Sequence, residues 1–201
     1  NQTAGAGNQV ATIALDASAA ASPSRVVYNN GDTVFGVTVG QITSGGAFGG
    51  ATGLTSGSGG NILVHTHGGI TIAQPINAGA GGVRLFSDIG GVAQGPSALI
   101  TGNFLGVRAT AAAGSLAINL QQANVAPNGT MLFAANAGTG DILLNLGSTT
   151  NLAIDLIGTD ANGFFTATPG ITTSGAARLV SPGQVTQAQP ISAATLGIRA
   201  A

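Results

Sequence analysis

The sequence predicts an all-β fold, a parallel β-solenoid whose coils run to roughly 20–22 residues, and three observations carry the prediction. Glycine makes up 34 of the 201 residues, more than double the usual ~7%. Lysine and glutamate are both absent, and charged residues are only 5% of the chain. Short aliphatic runs alternate at period two along most of its length. Glycine and alternation together belong to short strands and tight corners. The missing lysine and glutamate argue against long amphipathic helices, which need strong helix formers on their wet face.

Residues 1–60 are the less regular part. Val26 to Tyr28 and Val34 to Ile42 read as strands, the second alternating as TVFGVTVGQI from Thr33. Ser44 to Gly60 holds eight glycines in seventeen residues. It reads as a breaker, either a flexible linker or a surface loop thrown out from one coil.

Residues 61–201 read as regular coils of the same domain. Ile62/Val64/Thr66, Val83/Leu85, Leu105/Val107/Ala109, Leu116/Ile118/Leu120, Ile142/Leu144/Leu146, Leu152/Ile154/Leu156 and Leu196/Ile198 each place apolar residues on one face. Arg84, Arg108, Asn119, Asp141, Asn145 and Asp155 fall on the other. Asn128-Gly129, Asn162-Gly163 and Pro182-Gly183 supply corners with positive φ. A gapless repeat matches Ile70–Leu85 (ITIAQPINAGAGGVRL) to Val185–Ala200 (VTQAQPISAATLGIRA), and Leu105–Ala109 echoes Leu196–Ala200. The chain is built from degenerate copies of one unit.

Several function classes fall away on composition. A formal charge of −1 without a basic cluster leaves no electrostatic footprint for nucleic acid. The longest apolar run, Met131 to Ala135, is far short of the ~18 residues of a membrane-spanning helix. No cysteine is present, so neither disulfide nor thiolate chemistry is open. At 44% apolar residues and a mean hydropathy of +0.41 the chain is too hydrophobic for disorder. It opens on Asn1-Gln2-Thr3 without a signal peptide, as a mature chain or a fragment does.

Candidate chemical residues are few. His65 and His67 sit at i and i+2 and point outward together, but no carboxylate is near in sequence and a metal site wants three or four ligands. They read as exposed polar residues. The aspartates (Asp16, Asp32, Asp88, Asp141, Asp155 and Asp160) are scattered; only Asp141 and Asp155 are placed to face each other across neighbouring strands. Without Glu or Lys this is a poor stock for the paired carboxylates of a glycan-active enzyme. Gly138-Thr-Gly-Asp141 resembles a calcium-binding nonapeptide once, not in tandem. Gly57–Gly60 and Gly79–Gly82 lie among strands and read as turns rather than phosphate loops. Phe86 and Phe133 flank aliphatic strands and are expected to pack in stacked ladders, and one Tyr with no Trp makes a weak platform for sugars. No catalytic, cofactor or metal site is expected, and the chain reads as a non-enzyme.

From Gly68 to Ala109 (GGITIAQPINAGAGGVRLFSDIGGVAQGPSALITGNFLGVRA), and on through Gly140–Asn145, the chain resembles the repeat region of the filamentous-haemagglutinin family of two-partner-secreted adhesins. The resemblance covers most of residues 60–201. It implies a right-handed parallel β-helix displayed as a rod on a bacterial cell surface. The expected function is thus structural, a rod segment of an extracellular fibre serving adhesion, matrix or filament formation. Expected partners are neighbouring coils of a longer chain or end-to-end copies of itself, without cofactor. The alternative is a module that binds cell-surface glycan or host protein, and behind it a glycan-active enzyme.

Overall fold

Apolar runs broken every few residues by Gly, Asn, Pro or Ser are too short for helices and suit brief strands. A computed structural model describes residues 10–30, 35–111, 115–147 and 150–200, and every regular element in it is a strand. The first seven are β1 (Thr12–Ile13), β2 (Leu15–Asp16), β3 (Val26–Asn30), β4 (Val37–Val39), β5 (Gln41–Ile42), β6 (Ala51–Thr52) and β7 (Leu54–Thr55). Then come β8 (Ile62–Thr66), β9 (Ile70–Ile72), β10 (Ile76–Asn77), β11 (Gly82–Ser87), β12 (Val92–Gln94), β13 (Ile100–Thr101), β14 (Phe104–Ala111) and β15 (Leu116–Asn124). The next five are β16 (Thr130–Gly138), β17 (Asp141–Leu146), β18 (Asn151–Ile154), β19 (Leu156–Ile157) and β20 (Thr168–Pro169). Last are β21 (Ile171–Thr172), β22 (Ala176–Ser181), β23 (Val185–Gln187), β24 (Ile191–Ser192) and β25 (Thr195–Ala200).

The fold is all-β, with parallel strands in stacked sheets of nine, eight and four strands. From β7 to β15 successive strands visit the sheets in rotation, and β16, β17 and β18 then alternate between the nine- and eight-stranded sheets. β8, β9 and β10 lie in the nine-, eight- and four-stranded sheets, and β11, β12 and β13 repeat that order. Register follows from this rotation. Ile62 pairs beside Val83 and Val83 beside Leu105, so each partner lies one round of the three sheets further along the chain.

Two antiparallel hairpins interrupt the rotation. β5 and β6 pair between β4 and β9, and the step from Val37 to its partner Ile70 is lengthened accordingly. β7, inside the glycine-rich stretch, belongs to the four-stranded sheet. β19 and β20 pair between β17 and β22, which lengthens the step from Ile142 to its partner Ala177 in the same way. This second insertion also splits the nine-stranded sheet. The first half of β16 is continued by β18 and its second half by β21, and residues 155–170 are extruded between them as a flap.

Parallel in-register stacking sets like side chains above one another. Val26, Ile62, Val83, Leu105, Phe133 and Ile154 form one inward ladder, and Val37, Ile70, Val92, Ile118 and Ile142 form another. All are buried in a single core. Each contributes on the order of 1.5–3 kcal/mol by leaving water. Phe133 sits inside its ladder as expected. Phe86 does not, since it alternates to the outer face. Two further expectations are corrected. Leu116 is exposed because the register slips between it and Ile118, which turns Ala117 inward instead. Leu156 is exposed because the strand ends at Ile154 and the chain leaves for the flap.

Corners are closed by polar side chains and by glycine. Thr66 Oγ1 donates to Phe35 O, which also accepts from Gly68 N, and Ser87 Oγ donates to Gly68 O, so side chains tie the corners together. Gln94 and Asn124 exchange side-chain hydrogen bonds in the interior. The AQPI element of the long repeat has its own corner. Gly53, at φ +68°, lies so close beneath Pro75 that a Cβ would stand 2.0 Å from its carbonyl oxygen. Gly170, at φ +57°, repeats that contact with Pro190. Gly129 and Gly163 adopt the expected positive φ. Gly183 does not; its need is space, because a Cβ there would meet Asn151 Oδ1 at 2.3 Å.

The two copies of the long repeat keep their strand spacing but not their place. β9 and β10 lie in the eight- and four-stranded sheets, whereas their counterparts β23 and β24 both lie in the nine-stranded one. The flap insertion shifts the phase between them. No helix among the described residues is long and apolar enough to cross a membrane.

Candidate functional site

Outward positions of the nine-stranded sheet fall into columns by the same register. Asn29, His65, Phe86 and Arg108 make one column, and Val27, Leu63, Arg84 and Gly106 the next. The flap folds down over both. Phe165 and Ile157 are buried there with Leu63 and Ala134 in a satellite apolar cluster, separate from the main core. Gly106 makes room for them, since a Cβ at that position would stand 2.8 Å from both the Ile157 side chain and the Phe165 ring.

Cations and rings interleave beneath the flap. The Arg84 guanidinium lies 4.6 Å over the Phe104 ring and 5.9 Å from that of Phe165. Its Nε donates to Gly158 O at 3.1 Å. Arg108 sits 5.3 Å over Phe86 and donates to Thr166 Oγ1. His65 stacks on the other neighbour of that column, with ring centroids 4.5 Å from Phe86 and planes 7° apart. Burial pulls the Arg84 guanidinium below its usual pKa, and the Asp160 charge offsets this in part.

The histidines are not bare surface residues. Asp88 follows β11 and bridges them, with Oδ1 3.1 Å from His65 Nε2 and Oδ2 3.3 Å from His67 Nδ1. Asn29 Oδ1 lies 2.6 Å from His65 Nδ1. The carboxylate missing near them in sequence arrives from the end of β11, the parallel neighbour of β8. No group of three such residues converges as a metal cluster among the described residues.

The other aspartates disperse. Asp141 and Asp155 do not face each other: β17 lies in the eight-stranded sheet, and Asp155 begins the flap beyond the nine-stranded one. Asp141 accepts from Ala176 N and then from Arg178, which together hold its carboxyl below the ordinary value. Asp155 accepts from Leu156 N, and Asp16 from Ser18 N. Asp160 closes the flap tip, taking Asn162 N at 2.7 Å and Phe165 N at 2.6 Å. Asp32 lies outside the described residues. No two of the described carboxylates are poised against each other as an acid and a base.

Between the flap tip and the sheet is a cleft of about 290 Å³, lined in part by Arg25, Asn61, Leu63, Arg84, Thr159 and Asp160. With three of the chain's five arginines (Arg25, Arg84 and Arg108) on this face, it concentrates the positive charge of a sparsely charged molecule. No family model matches the chain, and no match to it was found among the curated proteins or among the solved structures. The site therefore rests on its own geometry.

Proposed function

We propose that this chain is a segment of right-handed β-solenoid, with coils of about 20–22 residues where no hairpin intervenes, serving as a rod in a secreted bacterial surface fibre or adhesin. The observation that carries the reading is the register of the parallel strands: Val26, Ile62, Val83, Leu105, Phe133 and Ile154 stack one above another in a single buried inward ladder. A ladder in which each strand hydrogen-bonds to the one before and the one after extends along one axis by repetition, which is the construction of a rod. The right hand follows from the general rule for parallel crossovers. The haemagglutinin-like repeat supports the extracellular setting.

Length, stiffness and a sparsely charged surface are what such a rod supplies. Electron microscopy of the native material beside its denatured chain mass tests the reading. Thin rods or filaments are expected. Compact single particles with a chain mass near 19 kDa would overturn it. A second reading, a module that binds a ligand on its outer face, is favoured by the arginine-lined cleft.

A further inference from the structure

The cleft under the flap tip is rich in donors and poor in free acceptors. Arg25 has no hydrogen-bond or ion-pair partner among the described residues and lines the mouth. Arg84 spends its Nε on Gly158 O, while its two Nη groups have no hydrogen-bond partner among the described residues and feel only the nearby Asp160 charge. Asn61 Oδ1 accepts from Gly82 N at 2.9 Å, which leaves its NH₂ to donate. Thr159 Oγ1 accepts from Ala167 N at 3.1 Å, which leaves its hydroxyl hydrogen to donate. The one anion, Asp160, is already held by two backbone N–H groups of its own loop. Two guanidinium groups against one carboxylate leave a single net positive charge in the cleft.

We infer that this cleft binds a small hydroxylated carboxylate, an acidic sugar residue by chemical class, with Arg25 and Arg84 on its carboxylate and Asn61 and Thr159 on its hydroxyls. A planar carboxylate fits the two-pronged face of a guanidinium, and a monoanion matches the net charge that Asp160 leaves. Arg84 is pre-organised: Phe104 lies under it, Phe165 beside it and Gly158 O on its Nε, so little side-chain freedom is lost on binding. A cleft of about 290 Å³ admits one ring rather than a stretch of polymer. Leu63 and Val27 give that ring an apolar floor. The inference is independent of the rod reading, since a free-standing domain would carry the same cleft.

The test is a titration of the ¹⁵N-labelled chain with glucuronate, using glucose and acetate as controls. Saturable amide shifts at residues 25–27, 61–63, 84 and 158–161 are expected with glucuronate, weak ones with acetate, and none with glucose. Arg25→Gln lies at an exposed position and leaves the fold intact; it should weaken glucuronate about tenfold, the effect of losing one charged hydrogen-bond partner. Arg84→Lys keeps the charge but loses the fork, and should weaken it by a similar factor while the flap stays closed. Absence of saturable shifts, equal response to glucose, or unchanged affinity in Arg25→Gln would overturn the site. Acetate binding as tightly as glucuronate would overturn the assignment of a sugar ring.

Discussion

At Gly170 two constraints coincide. Its φ of +57° is one that L side chains rarely adopt, and its Cα lies against the Pro190 carbonyl, where an added Cβ would come to 2.0 Å. Gly129 has only the first constraint, with φ +82° and open space around it. Gly129→Ala should therefore cost about 1 kcal/mol, the usual penalty for a left-handed alanine. Gly170→Ala must also push the AQPI corner away from the strand below, and should cost about 3 kcal/mol or more. Urea denaturation of the two variants side by side checks this, and equal costs would mean that the corner yields freely. The sequence marks Pro190 only as part of a repeat. Its physical partner is a glycine beside the neighbouring strand, as Gly53 is for Pro75.

At the scale of elements, the flap and the strands beneath it obey different rules. The strands were legible because aliphatic alternation and a regular one-coil step, as from Ile62 to Val83 to Leu105, both survive in the sequence. Applied to outward residues, the same step aligns His65 with Phe86 and Arg108, and His67 with Asp88. The signal for half of the site was thus present, in residues whose side chains face away from the core that periodicity reports. The flap left no such signal. Leu156 prolongs the alternation of Leu152 and Ile154, so the departure at Asp155 is invisible, and Phe164-Phe165 has no period to mark which ring is buried. Because Phe165 belongs to a satellite cluster apart from the main core, its loss should open the flap alone. Phe165→Ala should speed amide exchange across residues 156–169 by tenfold or more, since a buried Phe→Ala change costs ~3–5 kcal/mol locally, with β8 and β11 still protected. A matching loss of protection in those strands would show that the flap is integral to the stacked sheets.

For the whole molecule, the same side chain carries different energetic weight according to what lies on its axial side. Leu144 and Leu179 are 0% and 1% exposed because a strand covers each from both directions, whereas Ile198, next in that ladder, is covered from one. Leu144→Lys would bury an unpaired ammonium and should unfold the chain, at a cost above ~4 kcal/mol. The double variant Leu196→Lys/Ile198→Lys leaves both charges in water when residues 1–201 stand alone. It should then shift the unfolding free energy by less than about 1 kcal/mol. In the proposed fibre, with a further strand stacked on β25, the outcome should reverse. There the next coil would seal both lysines in a dry ladder, and the pair should either block growth at that edge or break the rod beside it. Denaturation of the isolated chain and microscopy of fibres carrying the double variant therefore read one surface in two settings. A small cost in both settings would mean that nothing stacks on this edge, and the proposed rod would lose the contact that extends it.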